Sequence, residues 1–132
     1  MAYEYDYPYK GVQGTCKVVT AHAVLKSYTC GLGKMQDHLI NGPIDIAMYV
    51  NNGFMYYSSG FYNGVGDGCD NSLAQANHEM VAVGYGHDNG KLYYILRNSW
   101  GTSWGMNGYV YVYDNVCSIT RDPEVPLTYG LL

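Results

Sequence analysis

Two apolar runs, Met80 to Tyr85 and Leu92 to Leu96, are joined by His87-Asp88-Asn89-Gly90. A short break ending in Asn-Gly between such runs is a hairpin turn signal. Residues 80–96 are therefore expected to fold back on themselves as two antiparallel strands. Gly108 to Asp114 adds a strand of the same kind, with Tyr109, Tyr111 and Tyr113 alternating against Val110 and Val112. Ile44, Ile46, Met48 and Val50 alternate likewise, the period of a half-buried strand. Short β-branched runs between Val18 and Tyr28 fit one or two further strands. Only Lys34 to Asn41 reads as helix, with Met35, Leu39 and Ile40 on one side and Gly42-Pro43 as the stop. Tyr3 to Lys17 and Tyr57 to Ala76 read as irregular, turn-rich segments. The tail from Arg121, with two prolines, reads as an edge segment or a loose end. The expected class is mainly β with minor α, an antiparallel sheet or small open barrel.

Composition narrows the function classes. At 132 residues, 48% hydrophobic and 14% charged, the chain can bury a core and is too apolar for disorder. Its 16 Tyr and 17 Gly suit a sheet with wet tyrosine tips and tight turns, the alternative being a Tyr-lined recognition surface. A net charge of −4 with no basic run gives no footprint for nucleic acid. No stretch of about 18 apolar residues suggests a membrane span. Met1 to Lys10 is Tyr- and acid-rich, the wrong chemistry for a signal peptide. The widely spaced Cys16, Cys30, Cys69 and Cys117 contain no CxxC pair, and His22, His38 and His87 show no ligand spacing. No metal or cofactor is expected. Four cysteines alone leave three disulfide pairings open.

Periodicity selects none of the four histidines; the run around His78 does. Asn77-His78-Glu79-Met80-Val81-Ala82-Val83-Gly84-Tyr85-Gly86 places a histidine just before a buried strand. Arg97-Asn98-Ser99-Trp100-Gly101, then Trp104-Gly105 and Gly108-Tyr109, follow the next strand. These segments are similar to the histidine (NHAVxxVGYG) and asparagine (KNSWGxxWGxxGY) motifs of the papain family of cysteine peptidases, with Arg97 at the usual lysine. Tyr7-Pro8-Tyr9, Cys16, Gly42-Pro43-Ile44, Tyr57-Ser58-Ser59-Gly60-Phe61-Tyr62 and Cys69 also fall in the family's order, from about residue 7 to residue 120.

The resemblance is to the C-terminal half of that family. It implies the antiparallel barrel-like right-hand domain of an α+β fold, the helical domain largely missing. Residues 1–30 would be linker or helical-domain edge, 31–120 the β domain and 121–132 a tail. In such peptidases a cysteine thiolate attacks the scissile carbonyl, while an imidazole holds its proton and passes it to the leaving amine. By resemblance His78 is that base and acid, and Asn98 orients its ring. Trp100 covers the His–Asn bond, Trp104 extends the aromatic wall, and Asn77 and Glu79 line a substrate pocket. A carboxylate at Glu79 would narrow that pocket and favour a basic side chain, or shut it; the alternative is that Glu79 turns to solvent. Cys69 and Cys117 match a disulfide pair of the family. Cys16 matches a cysteine whose partner lies in the missing half, and Cys30, without a counterpart, is either free or bonded to Cys16.

The family's nucleophile sits in a QGxCGSCW-like motif whose Gln donates to the oxyanion. Neither residue occurs in this sequence, and loss of that donor alone costs roughly 10²–10³-fold in rate. The chain by itself is therefore not expected to be a peptidase. It is either the His–Asn part of one, or a truncated inactive homologue acting as a structural or binding module; an inhibitor-like domain is the third reading. Removing the helical half exposes an apolar face, so a protein partner or self-association is expected. A peptide substrate is expected only where the Cys-bearing half is supplied. Family habit points to a lysosomal or secreted setting.

Overall fold

The computed structural model describes residues 8, 10–12, 23–29, 35–64, 68–69 and 76–131, with the side chains of 23–29 and 126–131 left aside. Tyr7, Tyr9, Cys16, His22 and Cys30, and with them the pairing of Cys16 and Cys30, lie outside these residues. The chain divides into two compact units, Tyr28–Val125 and a second drawn from Met1–Ser27 with Pro126–Leu132.

The hairpin is the spine of the larger unit. β4 (His78–Asp88) and β5 (Lys91–Arg97) pair antiparallel across Asn89-Gly90. Both turn residues adopt positive φ, 48° and 79°, as the hairpin turn that matches the twist of its strands requires. Between Ala82 and Gly84 the register shifts: Ala82 faces Leu96 but Gly84 faces Ile95, so Val83 is one residue more than β5 has to match. β6 (Tyr109–Tyr113) pairs with β5 and β2 (Ile44–Met48) with β4, both antiparallel. β3 (Phe61–Tyr62) completes the order β2-β4-β5-β6-β3 as an open sheet and runs parallel to β6. β7 (Glu124–Leu131) begins beside β2, Glu124 facing Asp45, and continues into the second unit, where it neighbours β1 (Ala23–Thr29).

Alternation decides which side chains are buried. Ile44, Ile46 and Met48 point inward from β2, Met80 and Ala82 from β4, Tyr94 and Leu96 from β5, and Val110 and Val112 from β6. Burying such side chains contributes roughly 1.5–3 kcal/mol each, so the pattern holds the register as well as the stability. On the opposite face Tyr93, Tyr111, Tyr113 and Phe61 form a ring cluster with centroids 4.8–5.8 Å apart. There Tyr113 donates to Asp88 at the hairpin tip, 2.6 Å away.

Three expectations need correction. The helix is α1 (Met35–Leu39), and Ile40, expected on its packed side, lies one residue past its end and is 74% exposed. A second helix, α2 (Asn52–Met55), begins where no helix was read; the Asn51 side chain caps it by accepting from the Phe54 N–H at 3.2 Å. The segment read as a loop from Tyr57 contains β3, which borrows its order from β6 rather than from any pattern of its own. Cys69 and Cys117 are bonded, Cα atoms 5.2 Å apart, closing a loop between residues 48 apart.

Candidate active site

His78 is the first residue of β4 and Asn98 the residue after β5. Extending the Val81–Arg97 register by one step sets Asn98 opposite Met80, on the face His78 shares. The two side chains are thus diagonal cross-strand neighbours, within reach of each other. His78 Nε2 lies 2.9 Å from Asn98 Oδ1. The Ser99 backbone N–H donates to the same oxygen at 2.8 Å, which identifies that end of the amide as the carbonyl. Nε2 therefore carries the proton, and in the neutral ring Nδ1 keeps its lone pair. Nδ1 has no partner among the described residues. Asn98 is only 8% exposed, its backbone N–H donates to Gly108 O at 2.9 Å, and its Nδ2 is buried without a partner among the described residues.

Aromatic rings shield this pair. The Trp100 ring lies 4.8 Å from the His78 ring at 34°, and Trp104 meets Trp100 edge to face at 5.3 Å. Behind them stands Phe54 of α2, fully buried, 6.0 Å from Trp100 and 5.2 Å from Trp104. Trp104 donates its indole N–H to the Met55 carbonyl at 3.0 Å and packs on Tyr57. The wall thus rests on a helix that pattern reading misses. Its one legible sign is Asn51 as a cap, since a single turn offers no apolar repeat. The turn after Trp104 closes tightly: Gly105 has φ +56°, and a Cβ there would sit 2.6 Å from the Tyr109 carbonyl.

Asn77 and Glu79, neighbours of His78, are used differently. The Asn77 side chain accepts from the Val50 N–H at 2.8 Å and donates to the Val50 carbonyl at 2.9 Å. Glu79 is exposed, pairs with Ala47 and lies on the outer face. Asp45, Glu79, Val81 and Arg97 line a cavity of about 260 Å³ together with Met80, Asn98 and Ser99. Burial, then the charges of Glu79 and Glu124, raise the pKa of Asp45 above the usual carboxylate value. No group of three or more His, Cys, Asp or Glu among the described residues is placed to hold a metal ion.

Residues 1–127 match the family model described as papain family cysteine protease. Cysteine proteinase RD21A of Arabidopsis thaliana is 39% identical over 95% of this chain, which spans 29% of that relative. Among solved structures, the bromelain protease from Ananas comosus in complex with the E64 inhibitor superposes with TM-score 0.76 at 34% identity, over 96% of this chain and 62% of that one. Procathepsin L 3 of Tenebrio molitor larval midgut gives TM-score 0.78 at 31% identity, over 93% of this chain and 42% of its own. The chain belongs to the papain family of cysteine proteases.

Proposed function

We propose that this chain supplies the histidine–asparagine half of a thiol-peptidase site and is inactive by itself. The observation that carries the reading is the His78 Nε2–Asn98 Oδ1 contact at 2.9 Å. It commits the ring proton to the amide and turns the Nδ1 lone pair toward a proton to be received. The step is a thiol giving its proton to Nδ1, the thiolate attacking a peptide carbonyl, and the imidazolium returning that proton to the leaving amine. Asn98 holds the ring through both transfers, and Trp100 and Trp104 keep water from the His–Asn bond. Thiol and oxyanion donor come from outside these 132 residues, since Cys69 and Cys117 are bonded to each other and Cys16 and Cys30 stand in no motif of the nucleophile type.

Substrate choice follows from the outer face. Glu79 and Asp45 share one cavity with Arg97, a lining with two carboxyl groups to one guanidinium that favours a basic side chain. Val81, Val83 and Tyr85, exposed along β4, support a covering protein partner or self-association.

The purified chain is expected to hydrolyse no peptidyl substrate and to take no label from an epoxide thiol-peptidase inhibitor. An adduct on Cys16, Cys30, Cys69 or Cys117 would overturn the reading that none of them is the nucleophile. Intact-mass analysis of native material should reveal a longer protein or an associated second chain, either one carrying a reactive cysteine. A monodisperse monomer by light scattering would count against a covering partner and against self-association.

A further inference from the structure

We propose that the Cys69–Cys117 disulfide is a redox switch: a dithiol reductant opens it at Cys69, and a strained turn at Cys117-Ser118 then relaxes and releases the end of β2. The strain lies in the backbone. Cys117 and Ser118 both hold left-handed φ, 53° and 68°, a region that disfavours an L-residue by roughly 5–30-fold at each position. Asn115, at 59°, is a residue type that visits it routinely; cysteine and serine are not.

Such conformations persist only where their surroundings over-determine them. Both residues are buried. The Ile119 N–H donates to the Val116 carbonyl at 3.3 Å and the Arg121 N–H to the Ser118 carbonyl at 2.8 Å. The Cys117 carbonyl accepts from the Tyr49 N–H at 2.9 Å and from the Ser118 hydroxyl at 2.6 Å. The covalent tie is the bond to Cys69, 48 residues back along the chain. Without that bond the hydrogen bonds alone must hold two disfavoured residues.

The two sulfurs are not equally open. Cys117 is fully buried, whereas Cys69 is half-buried. Gly64 packs against Cys69 and presents no side chain; a Cβ there would come within 3.1 Å of Cys69 Sγ. A reductant thiolate therefore attacks Cys69. The S–S bond breaks, and Cys117 leaves as the thiolate and takes up a proton, as burial in apolar surroundings favours. The reductant's second thiolate then attacks its own sulfur in the mixed disulfide and frees Cys69, which is protonated in turn. The protein disulfide is reduced to two thiols and the dithiol is oxidised to a disulfide. Strained disulfides are the more easily reduced ones. Once open, Cys117 and Ser118 leave the left-handed region and the Cys117 carbonyl turns away from Tyr49. Tyr49 follows Met48, which pairs with His78 at the last rung between β2 and β4, so the released segment is the one beside the site.

The test uses the full chain equilibrated in dithiothreitol buffers. Alkylation and peptide mass mapping quantify the Cys69–Cys117 pair separately from Cys16 and Cys30. Ser118→Gly removes the left-handed penalty from the bonded form and should shift the exchange equilibrium toward the disulfide by at least about fivefold. Ser118→Ala keeps the Cβ, loses the hydroxyl and should show no such shift. An unchanged equilibrium in S118G overturns the inference, as does an equal shift in S118A, which would assign the effect to the hydroxyl. Amide hydrogen exchange on the reduced wild type gives a second readout. The Tyr49 amide should exchange at least about tenfold faster than in the bonded form, with Tyr94 and Leu96 still protected. Tyr49 exchange unaltered by reduction overturns the switch, and so does loss of protection throughout the sheet, which would make the bond a simple brace. This readout needs no variant and decides alone if S118G does not fold.

Discussion

Replacing Phe54 by alanine tests how the aromatic wall is carried. Phe54 is fully buried and touches Tyr62 at 5.0 Å, Trp104 at 5.2 Å and Trp100 at 6.0 Å. Phe-to-Ala changes in cores cost about 3–5 kcal/mol through lost transfer energy and the cavity left behind. Each edge-to-face contact adds roughly 0.5–1.5 kcal/mol. Against this, α2 is one turn long and can settle partly into the gap. About 3 kcal/mol, the low end of the range, is therefore expected from urea titration with an unchanged slope. The chain has two tryptophans, both in this wall, so their fluorescence reports the site without background. F54A should shift tryptophan emission to longer wavelength in the native state and loosen the His78 Nε2–H. A loss below about 1 kcal/mol, or a full loss with native emission unaltered, would refute the claim that α2 supports the wall.

Three further expectations follow from local features. Gly105→Ala should destabilise by about 2 kcal/mol or more in chemical denaturation, because a left-handed conformation and a 2.6 Å approach to the Tyr109 carbonyl act together; Ala tolerated within error would contradict that geometry. Asp45 has a raised folded-state pKa, so its ionisation weakens the fold: the protonated form's stability is complete below the unfolded value of 3.8 and is lost as pH rises through the folded value. Asp45→Asn should therefore stabilise at pH 7 by less than about 1 kcal/mol, the group being part exposed, and the gain should vanish below the unfolded pKa in thermal melts. Removing the disulfide by Cys69→Ala with Cys117→Ala opens a loop spanning 48 residues, for which chain entropy gives about 4 kcal/mol; equal melting of reduced and oxidised wild type would argue against it.

The parts of this fold that sequence reveals are those whose signals are local. The β4–β5 hairpin is written in two apolar runs and an Asn-Gly turn, and β6 in its Tyr/Val alternation, and both stand as read. His78 and Asn98 emerge from motif context, since no period marks a histidine at a strand end. α2 and β3 escape because four and two residues are too few for either period to repeat. β3 in addition pairs in parallel, an arrangement no hairpin signal announces. Ile40 misleads for a related reason: the apolar count continues past the point where Gly42-Pro43 has already stopped the helix. The partners of Asn77 lie 27 residues away on another segment, a relation that exists only once β2 and β4 have met.

The extra residue in β4 has a consequence for the chemistry as well as the sheet. Side chains alternate faces along a strand, so one inserted residue inverts the phase of everything beyond it. On the hairpin-tip side, phase is set by Asn89-Gly90; on the other, it is set by whether His78 shares a face with Asn98. Val83 is the half-step that lets both conditions hold at once. A deletion there would keep His78, Asn98 and the Gly-Tyr-Gly run and still send His78 and Asn98 to opposite sides of the sheet. The site therefore depends on the number of residues between turn and histidine as much as on which residues they are.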